Sequence, residues 1–233
     1  YTWSHALAEA SNDATAENLL ADPTDVFYVI KRRWSDADFD VRQRLSVSGS
    51  YRLPFGRNRV FGSAWPGWLD GVLGGWRVSY ILTFQGGYPF TVYDSRLRFP
   101  DRVCDGRLPK DQRTPDRWFD YTCFPTHQST FITLPGGTRK EVNIHGNAPP
   151  NVIRGPGINN WDISVFKNFR LGEGQRRLQF RWEMYNAFNP TQFSAVNTSA
   201  RFDAQGNQVN ARFGEYSAAR DARRIQAALK FYF

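Results

Sequence analysis

The sequence predicts an all-β protein, an antiparallel transmembrane β-barrel wall with long extracellular loops, and three observations support this fold class. Several segments of about ten residues alternate apolar and polar side chains, which is the period of a strand with two unlike faces. The connections between these segments differ greatly in length, as they do in outer-membrane barrels. The last segment, 223–233, is itself such a strand and ends on Phe233, so lipid rather than water would cover its apolar side.

The composition says more about the partners of the protein than about its fold. A formal net charge of +8 would suit a nucleic-acid-binding protein. The basic residues are dispersed, however, with no block of five like charges, so we expect no nucleic-acid partner. No apolar run reaches the roughly 18 residues of a transmembrane helix. A mean hydropathy of −0.55 is compatible with alternating strands joined by polar loops.

The first predicted strand, 1–7, is followed by a polar segment, 8–39, that is predicted to be a loop. Near its end, Asp36, Asp38 and Asp40 have the spacing that opens a calcium-binding loop. An EF-hand would also need glycine at position 41 and glutamate at position 47, and valine occupies both. We therefore interpret the three aspartates as a charged entrance to the next strand.

The second predicted strand covers 40–53, and the connection 54–75 that follows it is rich in glycine and aromatic residues. Four large apolar residues of this connection suit a short amphipathic turn at a membrane interface, where aromatic side chains are favoured. They suit an ordinary packed turn equally well, and the sequence leaves both alternatives open. These residues are Trp65, Trp68, Leu69 and Leu73.

The third predicted strand covers 76–92, with a bend marked by Gly86, Gly87 and Pro89. The irregular segment 94–158 follows and is predicted to be a loop. A compact soluble domain seldom contains so long a segment without periodicity, whereas long loops on one side are the rule in outer-membrane barrels.

Both cysteines of the chain, Cys104 and Cys123, lie in this loop. An even number of cysteines is compatible with one disulfide in an oxidising compartment. The alternative is a catalytic thiol with His127 and a nearby aspartate, Asp116 or Asp120. Nothing in the sequence fixes the geometry of such a triad, so the disulfide is the favoured interpretation.

Two more strands, 161–171 and 177–188, flank the glycine-containing turn 172–176, and the loop 189–221 leads to the last strand. Because successive strands run in opposite directions, every second connection falls on the same side of the sheet. The short side, periplasmic in an outer-membrane barrel, receives 54–75, 172–176 and Phe233. The extracellular side receives the long loops 8–39, 94–158 and 189–221.

Six strands are too few to close a barrel, since about eight are the minimum. The chain begins directly on a strand at Tyr1. We therefore expect these to be the last six strands of a larger barrel.

Several stretches, taken in order, resemble the carboxyl-terminal part of TonB-dependent outer-membrane receptors. The resemblance is closest to the Oar-like subgroup, whose members carry an amino-terminal carboxypeptidase-regulatory-like domain. Two positions depart from the pattern: Gln43 stands where the subgroup often has histidine, and Ala228 where the terminal assembly signal usually has glycine. Gln226, Phe231 and Phe233 fit that signal. The stretches are YTWSHAL, DFDVRQRLSVSGSYRLPFG, GGWRVSYILTFQGGYPFTV, RGPGINNWDISVFKNFRL, RWEMYNAFNPTQF and RRIQAALKFYF.

The resemblance implies a 22-stranded barrel around an amino-terminal plug, which takes up a nutrient with energy from the TonB complex. The plug and the TonB complex would then be partners through a part of the protein outside this sequence. Outer-membrane lipid would surround the barrel, the barrel-assembly machinery would bind Phe233, and an unidentified extracellular ligand would bind the loops. The location would be the bacterial outer membrane, as a multi-pass β-barrel. The alternative is a structural or adhesive surface protein whose loops bind a partner without transport.

Charged residues on the polar sides of the last two strands are candidates for the barrel lumen, where they would contact one another, the plug or the substrate. These are Arg177, Arg181, Glu183, Arg224 and Lys230. The histidines His127 and His145 do not have the spacing of a common zinc site. We expect no enzymatic activity, no metal and no cofactor. Aromatic residues of loop 94–158 are candidates for binding the extracellular ligand or for packing within the loop, namely Trp118, Phe119, Tyr121 and Phe131.

Overall fold

A computed structural model describes residues 1–8, 34–96, 98–172 and 176–233. Within these ranges the chain forms β-strands, one α-helix and two short 3₁₀ turns at Lys110–Gln112 and Tyr121–Cys123. In chain order, the strands and the helix are β1 (Thr2–Trp3), β2 (Leu7–Ala8), β3 (Ser35–Asp36), β4 (Gln43–Arg52), α1 (Gly67–Leu73), β5 (Arg77–Gln85), β6 (Pro89–Phe90), β7 (Tyr93–Asp94), β8 (Thr130–Thr133), β9 (Arg139–Val142), β10 (Ile153–Arg154), β11 (Ile158–Arg170), β12 (Arg177–Tyr185), β13 (Phe193–Val196), β14 (Ser199–Ala200), β15 (Tyr216–Ala219) and β16 (Arg224–Tyr232).

Five long strands and the two-residue β1 build one antiparallel sheet in the order β1, β4, β5, β11, β12, β16. This order follows the chain, so each strand pairs with the next long one, and each overlaps one of the predicted strands. The two edge strands, β1 and β16, do not pair with each other. The part of the chain that the structure describes is therefore an open sheet and contains no closed barrel.

The third strand is shorter than the predicted span 76–92. It ends at Gln85, and Pro89–Phe90 pairs instead with β10, outside the large sheet. A Cβ atom on Gly87 would lie only 1.9 Å from the carbonyl oxygen of Gly155, so only glycine permits this close approach of two backbones. The bend that Gly86, Gly87 and Pro89 predicted is thus a departure of the chain from the sheet.

Other ends of the predicted strands also differ from the structure. Only Thr2–Trp3 of the predicted strand 1–7 joins the large sheet. The strand predicted over 177–188 ends at Tyr185, because Asn186 has a φ of 52° and turns the chain. Residues 9–33, most of the predicted loop 8–39, lie outside the described residues.

The predicted loops 94–158 and 189–221 contain more regular structure than their sequences indicate. Each holds a short antiparallel pair of strands, the hairpin of β8 and β9 in the first and β13 with β15 in the second. A parallel pairing of β14 with β7 joins the second loop to the chain just after β5. We call the described residues of 86–157 and 186–223 the loop cap. They lie together at the strand ends that the long connections join, which we call the long-connection edge of the sheet.

Side chains of like character lie opposite each other across the sheet. One row on what we call the apolar face is Tyr51, Val78, Val165, Trp182 and Ala227. The adjacent row on the polar face is Ser50, Ser79, Ser164, Glu183 and Gln226. This register follows from the period of two, because a slip by one residue would move every side chain to the wrong face.

Most of each face of the sheet is left uncovered by other parts of the described chain. Large apolar side chains of the edge strand remain exposed, with half of Ile225 and two thirds of Leu229 accessible. The buried apolar residues all lie outside the six strands, and most belong to the loop cap. Its core is Val92, Phe119, Cys123, Phe124, Ala148, Ile153, Val196, Ala200 and Phe213.

Helix α1 lies against the apolar face at the opposite ends of the strands. These ends are joined by the short connections, and we call them the short-connection edge of the sheet. The ammonium group of Lys167 donates hydrogen bonds to the carbonyl oxygens of Gly74, at 2.5 Å, and Asp70, at 3.1 Å. The Gly74 carbonyl lies at the helix end, where backbone acceptors lack partners within the helix, whereas the Asp70 carbonyl also accepts from the backbone N–H of Gly74. A lysine that interrupts the apolar alternation of β11 therefore anchors α1. No helix in the described ranges is long and apolar enough to cross a membrane.

Helix α1 lies in the connection 54–75, for which the sequence left two alternatives open. The connection forms a short helix whose Trp68 and Val72 side chains are exposed, and its place at a membrane interface stays a prediction. Trp76 holds the helix end by donating from its indole nitrogen to the carbonyl oxygen of Val72, at 2.9 Å. Exposed tryptophan beside an apolar sheet face suits the boundary between lipid and water.

Candidate functional site

The five charged residues proposed for the lumen all lie on the polar face. Arg181 donates to Glu183 at 2.6 Å, and the guanidinium of Arg177 lies 4.4 Å from the centre of the Tyr232 ring. Arg224 pairs with Asp221 at the long-connection edge. The fifth residue, Lys230, lies opposite Gln179 on the neighbouring strand. Their common face is a consequence of strand alternation, but the structure distributes them along the whole length of the sheet.

The polar face carries a cleft of about 920 Å³ where it meets the loop cap. Strands β5, β11, β12 and β16 form its floor, and the connection 186–223 forms its wall. Among the five lumen candidates, only Arg224 lines it. The remaining polar lining includes Asn160, Asp162, Gln192, Arg220, Asp221 and Gln226.

The wall of this cleft is fixed to the sheet by Asn186. Its backbone N–H donates to Asp162 Oδ1 at 3.0 Å, and its side-chain amide donates to the carbonyl oxygen of Asp221 at 3.3 Å. Gln192 adds a second link, since its Oε1 accepts a hydrogen bond from the backbone N–H of Asn159 at 2.9 Å. The cleft thus offers amides, carboxylates and guanidinium groups, which suit a polar ligand with both donors and acceptors.

A family model described as "Outer membrane beta barrel domain" matches residues 1–226. The chain belongs to this family. The match confirms the predicted class of outer-membrane β-barrel and indicates a location in the bacterial outer membrane. No curated protein and no solved structure is significantly similar to the chain.

In this barrel domain the aspartates that precede β4 form ion pairs at the base of the loop cap. Arg154 pairs with both Asp36 and Asp40, and Arg42 donates to Asp36 and Asp40 at 2.9 Å each. His5 Nε2 lies 2.8 Å from Asp36 Oδ1. Burial raises the pKa of Asp36, but its hydrogen bonds to His5, Arg154 and Arg42 lower it by more.

These pairs decide between the two interpretations of the aspartate triplet. Ligand atoms of His5, Asp36 and Asp40 lie within 4.8 Å of one another, but two arginines already neutralise the two carboxylates. The third member, Asp38, accepts a hydrogen bond from the side chain of Asn151 at 2.6 Å. The triplet is therefore a charged strand entrance, as predicted, and it holds the segment before β4 against the loop cap.

Arg154 is the residue of this network that the sequence did not reveal. It lies within the irregular segment 94–158, 118 positions after Asp36, so no local pattern relates the two. Nor does a local pattern relate Asn186 and Gln192 in the cleft to their partners Asp162 and Asn159 on β11. Their only sequence signal is the stretch RWEMYNAFNPTQF, which belongs to the receptor resemblance.

The predicted disulfide is present between Cys104 and Cys123, with Cα atoms 5.0 Å apart. It excludes the catalytic-thiol alternative, because Cys104 has no free thiol. His127 instead contacts the carboxylate of Asp101, at 3.0 Å, and the carbonyl oxygen of Asn143, at 3.0 Å. The disulfide links two parts of the long loop beside the core of the cap.

The aromatic residues of this loop divide between the two roles that the sequence left open. Phe119 is buried in the core of the loop cap, and Trp118 packs against that core. Tyr121 and Phe131 are exposed by 37% and 51% of their surface. Among these four residues, Tyr121 and Phe131 are therefore the most accessible to an extracellular ligand.

The predicted assembly signal lies on the edge strand β16 and just beyond it. Gln226 and Ala228 are on the polar face, Phe231 is on the apolar face, and Phe233 is almost fully exposed. Recognition of these residues by the assembly machinery stays a prediction.

Proposed function

We propose that this barrel domain is part of an outer-membrane receptor that takes up a nutrient in a TonB-dependent manner. The observation that carries the proposal is the pairing of an exposed apolar face with a polar face that bears a large cleft beneath the loop cap. In a barrel wall the first face contacts lipid and the second lines the interior. A polar ligand captured by the cap would then meet the cleft on its way inward.

The receptor resemblance supplies the finer features of this proposal. It implies the last six strands of a 22-stranded barrel of the Oar-like subgroup, with an amino-terminal plug and the TonB complex as partners. The assembly machinery would act through Phe233, and the charged residues of the polar face would contact the plug or the substrate. The proposed role is transport, without enzymatic activity, metal or cofactor.

Binding to TonB tests this proposal directly. The intact protein, purified in detergent micelles, is titrated with the periplasmic domain of TonB from the same bacterium, with a general porin as the negative control. We expect a one-to-one complex with the intact protein and none with the porin. Absence of a complex at concentrations that suffice for an established TonB-dependent receptor would contradict the proposal.

The loop cap supports the alternative function, a structural or adhesive surface protein. Every residue of β8 is exposed, including Phe131 and Ile132, so the hairpin of β8 and β9 presents apolar side chains to a partner. Replacing Thr130–Val142 by a short turn would then abolish surface adhesion of the bacterium. Two results together would favour the alternative: the hairpin variant loses adhesion, and the intact protein does not bind TonB.

A further inference from the structure

The polar face carries a second cleft at the short-connection edge, and five arginines surround it. They come from three places: Arg52 and Arg77 from β4 and β5, Arg170 and Arg177 from β11 and β12, and Arg59 from the connection after β4. The cleft has a volume of about 310 Å³. No carboxylate lines it within the described residues.

Four of these arginines form two pairs in which like charges face each other across neighbouring strands. Arg52 lies directly opposite Arg77, and Arg170 lies directly opposite Arg177. Like charges at directly opposed positions destabilise a strand pair. Two such pairs at the same edge of the same face concentrate positive charge, and an anion would offset their repulsion.

Some other arginines of the chain are neutralised by ion pairs. Elsewhere on the sheet Arg181 pairs with Glu183, and in the loop cap Arg98 pairs with Glu141. In the part of the chain that the structure describes, no carboxylate lies within salt-bridge distance of the five arginines around the cleft. The turn between Arg170 and Arg177 also contains Glu173, which lies outside the described residues.

Aromatic rings orient two of the guanidinium groups. Arg177 lies 4.4 Å from the centre of the Tyr232 ring, and Arg77 lies 5.5 Å from the centre of the Phe166 ring. Stacking on a ring fixes the plane of a guanidinium and leaves its N–H groups available at the edge. A planar group with several N–H donors matches the oxygen atoms of phosphate, which it binds through two parallel hydrogen bonds.

We propose that this basic cleft binds a small soluble phosphate-bearing ligand with at least two negative charges. A monovalent carboxylate would neutralise only one of the five arginines, whereas a diphosphate group offers several charges and acceptor oxygens within a small volume. The cleft is at the lower end of the size range of small-molecule sites. It opens on the polar face, away from the apolar face that lipid would cover. The proposal does not depend on transport or on TonB.

Binding of inorganic diphosphate by the intact protein tests this site. Calorimetric titration in detergent micelles is carried out at constant ionic strength, with chloride replaced stepwise by diphosphate. We expect saturable binding that Arg77→Gln and Arg170→Gln each weaken by about tenfold or more, since a lost charge-assisted hydrogen bond is of this size. Heat-modifiable migration, the difference in gel mobility between heated and unheated samples, verifies that each variant is folded.

Arg44→Gln is the matched control. Arg44 lies on the same face of the same strand as Arg52, opposite Gln85 rather than another arginine, and eight residues of strand separate the two by about 26 Å. Its substitution should leave diphosphate binding unchanged. An equal loss in all three variants would mean that diphosphate responds to net charge alone, and would overturn the proposal.

Three further results would also overturn it. The first is wild-type protein that does not bind diphosphate at constant ionic strength. The second is binding to vesicles of anionic phospholipid without binding to soluble diphosphate, which would assign the arginines to lipid headgroups. The third is diphosphate binding that appears only after Glu173→Gln, which would mean that Glu173 already fills the cleft.

Discussion

The sheet and the loop cap place their apolar side chains in opposite ways. In the sheet, apolar residues form continuous rows on one face and remain exposed, as in Tyr51 and Leu229. In the loop cap, residues such as Phe119 and Phe213 are buried and their rings are in edge-to-face contact at 5.3 Å. A water-soluble domain would bury the sheet first, because hydrophobic burial is the main term that favours folding. The apolar face of the sheet therefore suits contact with lipid, whereas the cap buries its apolar side chains as a water-soluble domain does.

The largest expected effect tests the core of the cap. Phe119→Ala should destabilise the cap by about 3–5 kcal/mol, since a buried phenylalanine is replaced by a cavity. Limited proteolysis of the intact protein in micelles should then cleave the cap much faster, while the strands stay protected. Phe131→Ala is the control, because this side chain is half exposed. Equal cleavage of both variants would mean that the core of the cap does not hold it together.

The second prediction tests the assignment of the sheet faces. Val165→Arg on the apolar face should cost up to about 2–4 kcal/mol if the residue lies near the middle of the bilayer. Ser164→Arg places the same side chain on the polar face one residue away and should have a mild effect. Unfolding by urea in lipid vesicles measures both.

A second pair repeats this comparison on the neighbouring strand, with Phe180→Arg on the apolar face and Gln179→Arg on the polar face. Phe180 lies opposite Lys167 on one side and opposite Leu229 on the other, so this pair tests the apolar face in a second environment. Equal costs on the two faces in both pairs would contradict the assignment of lipid to the apolar face.

The same difference between the two regions explains how much the sequence could predict. Each strand of the sheet is specified locally, because the alternation is visible within ten residues or so. The cap is specified by contacts between distant residues, for example Asn151 with Asp38 and Trp118 with Arg154. No period relates such partners, so the loops could be located from the sequence but their common core could not.

The two clefts illustrate the same limit. The polar face could be predicted, and with it the direction of Arg177, Arg181 and Arg224. The wall of the larger cleft comes from Asn186 and Gln192 in an irregular connection, whose position depends on the folded cap. The basic cleft depends on strand register, since Arg52 and Arg77 meet only when the pairing of β4 with β5 is known.

A smaller effect is expected at the point where a charged residue interrupts the apolar face. Lys167→Ala removes the side-chain donor to the carbonyl groups of Asp70 and Gly74; that of Asp70 keeps the backbone N–H of Gly74 as a donor, so the unpaired Gly74 carbonyl should cost about 1–3 kcal/mol. Hydrogen exchange should become faster in α1 and the adjoining Gly74. Lys230→Ala, on the polar face, should leave α1 unchanged. Unchanged exchange in Lys167→Ala would show that α1 is held by lipid or other contacts.

The smallest effect concerns the pH dependence of the cap. Arg98 donates to both carboxylate oxygens of Glu141, at 2.8 and 2.9 Å, and Ser129 donates at 2.5 Å. The hydrogen bonds of Arg98, and then that of Ser129, lower the pKa of Glu141 from 4.5 to about 2. Because the folded-state pKa is the lower one, the pair stabilises the cap fully above pH 4.5, and this contribution is lost as the pH falls towards 2.

Hydrogen exchange of the β8–β9 hairpin, corrected for the intrinsic rate at each pH, measures this contribution. In the wild type the hairpin should lose protection between about pH 4.5 and pH 2. Glu141→Gln should lower protection at neutral pH and remove most of the dependence on pH in this interval. The sheet should not respond, since its stability in lipid does not involve this carboxylate. An unaltered pH dependence in Glu141→Gln would assign the acid sensitivity of the cap to other groups.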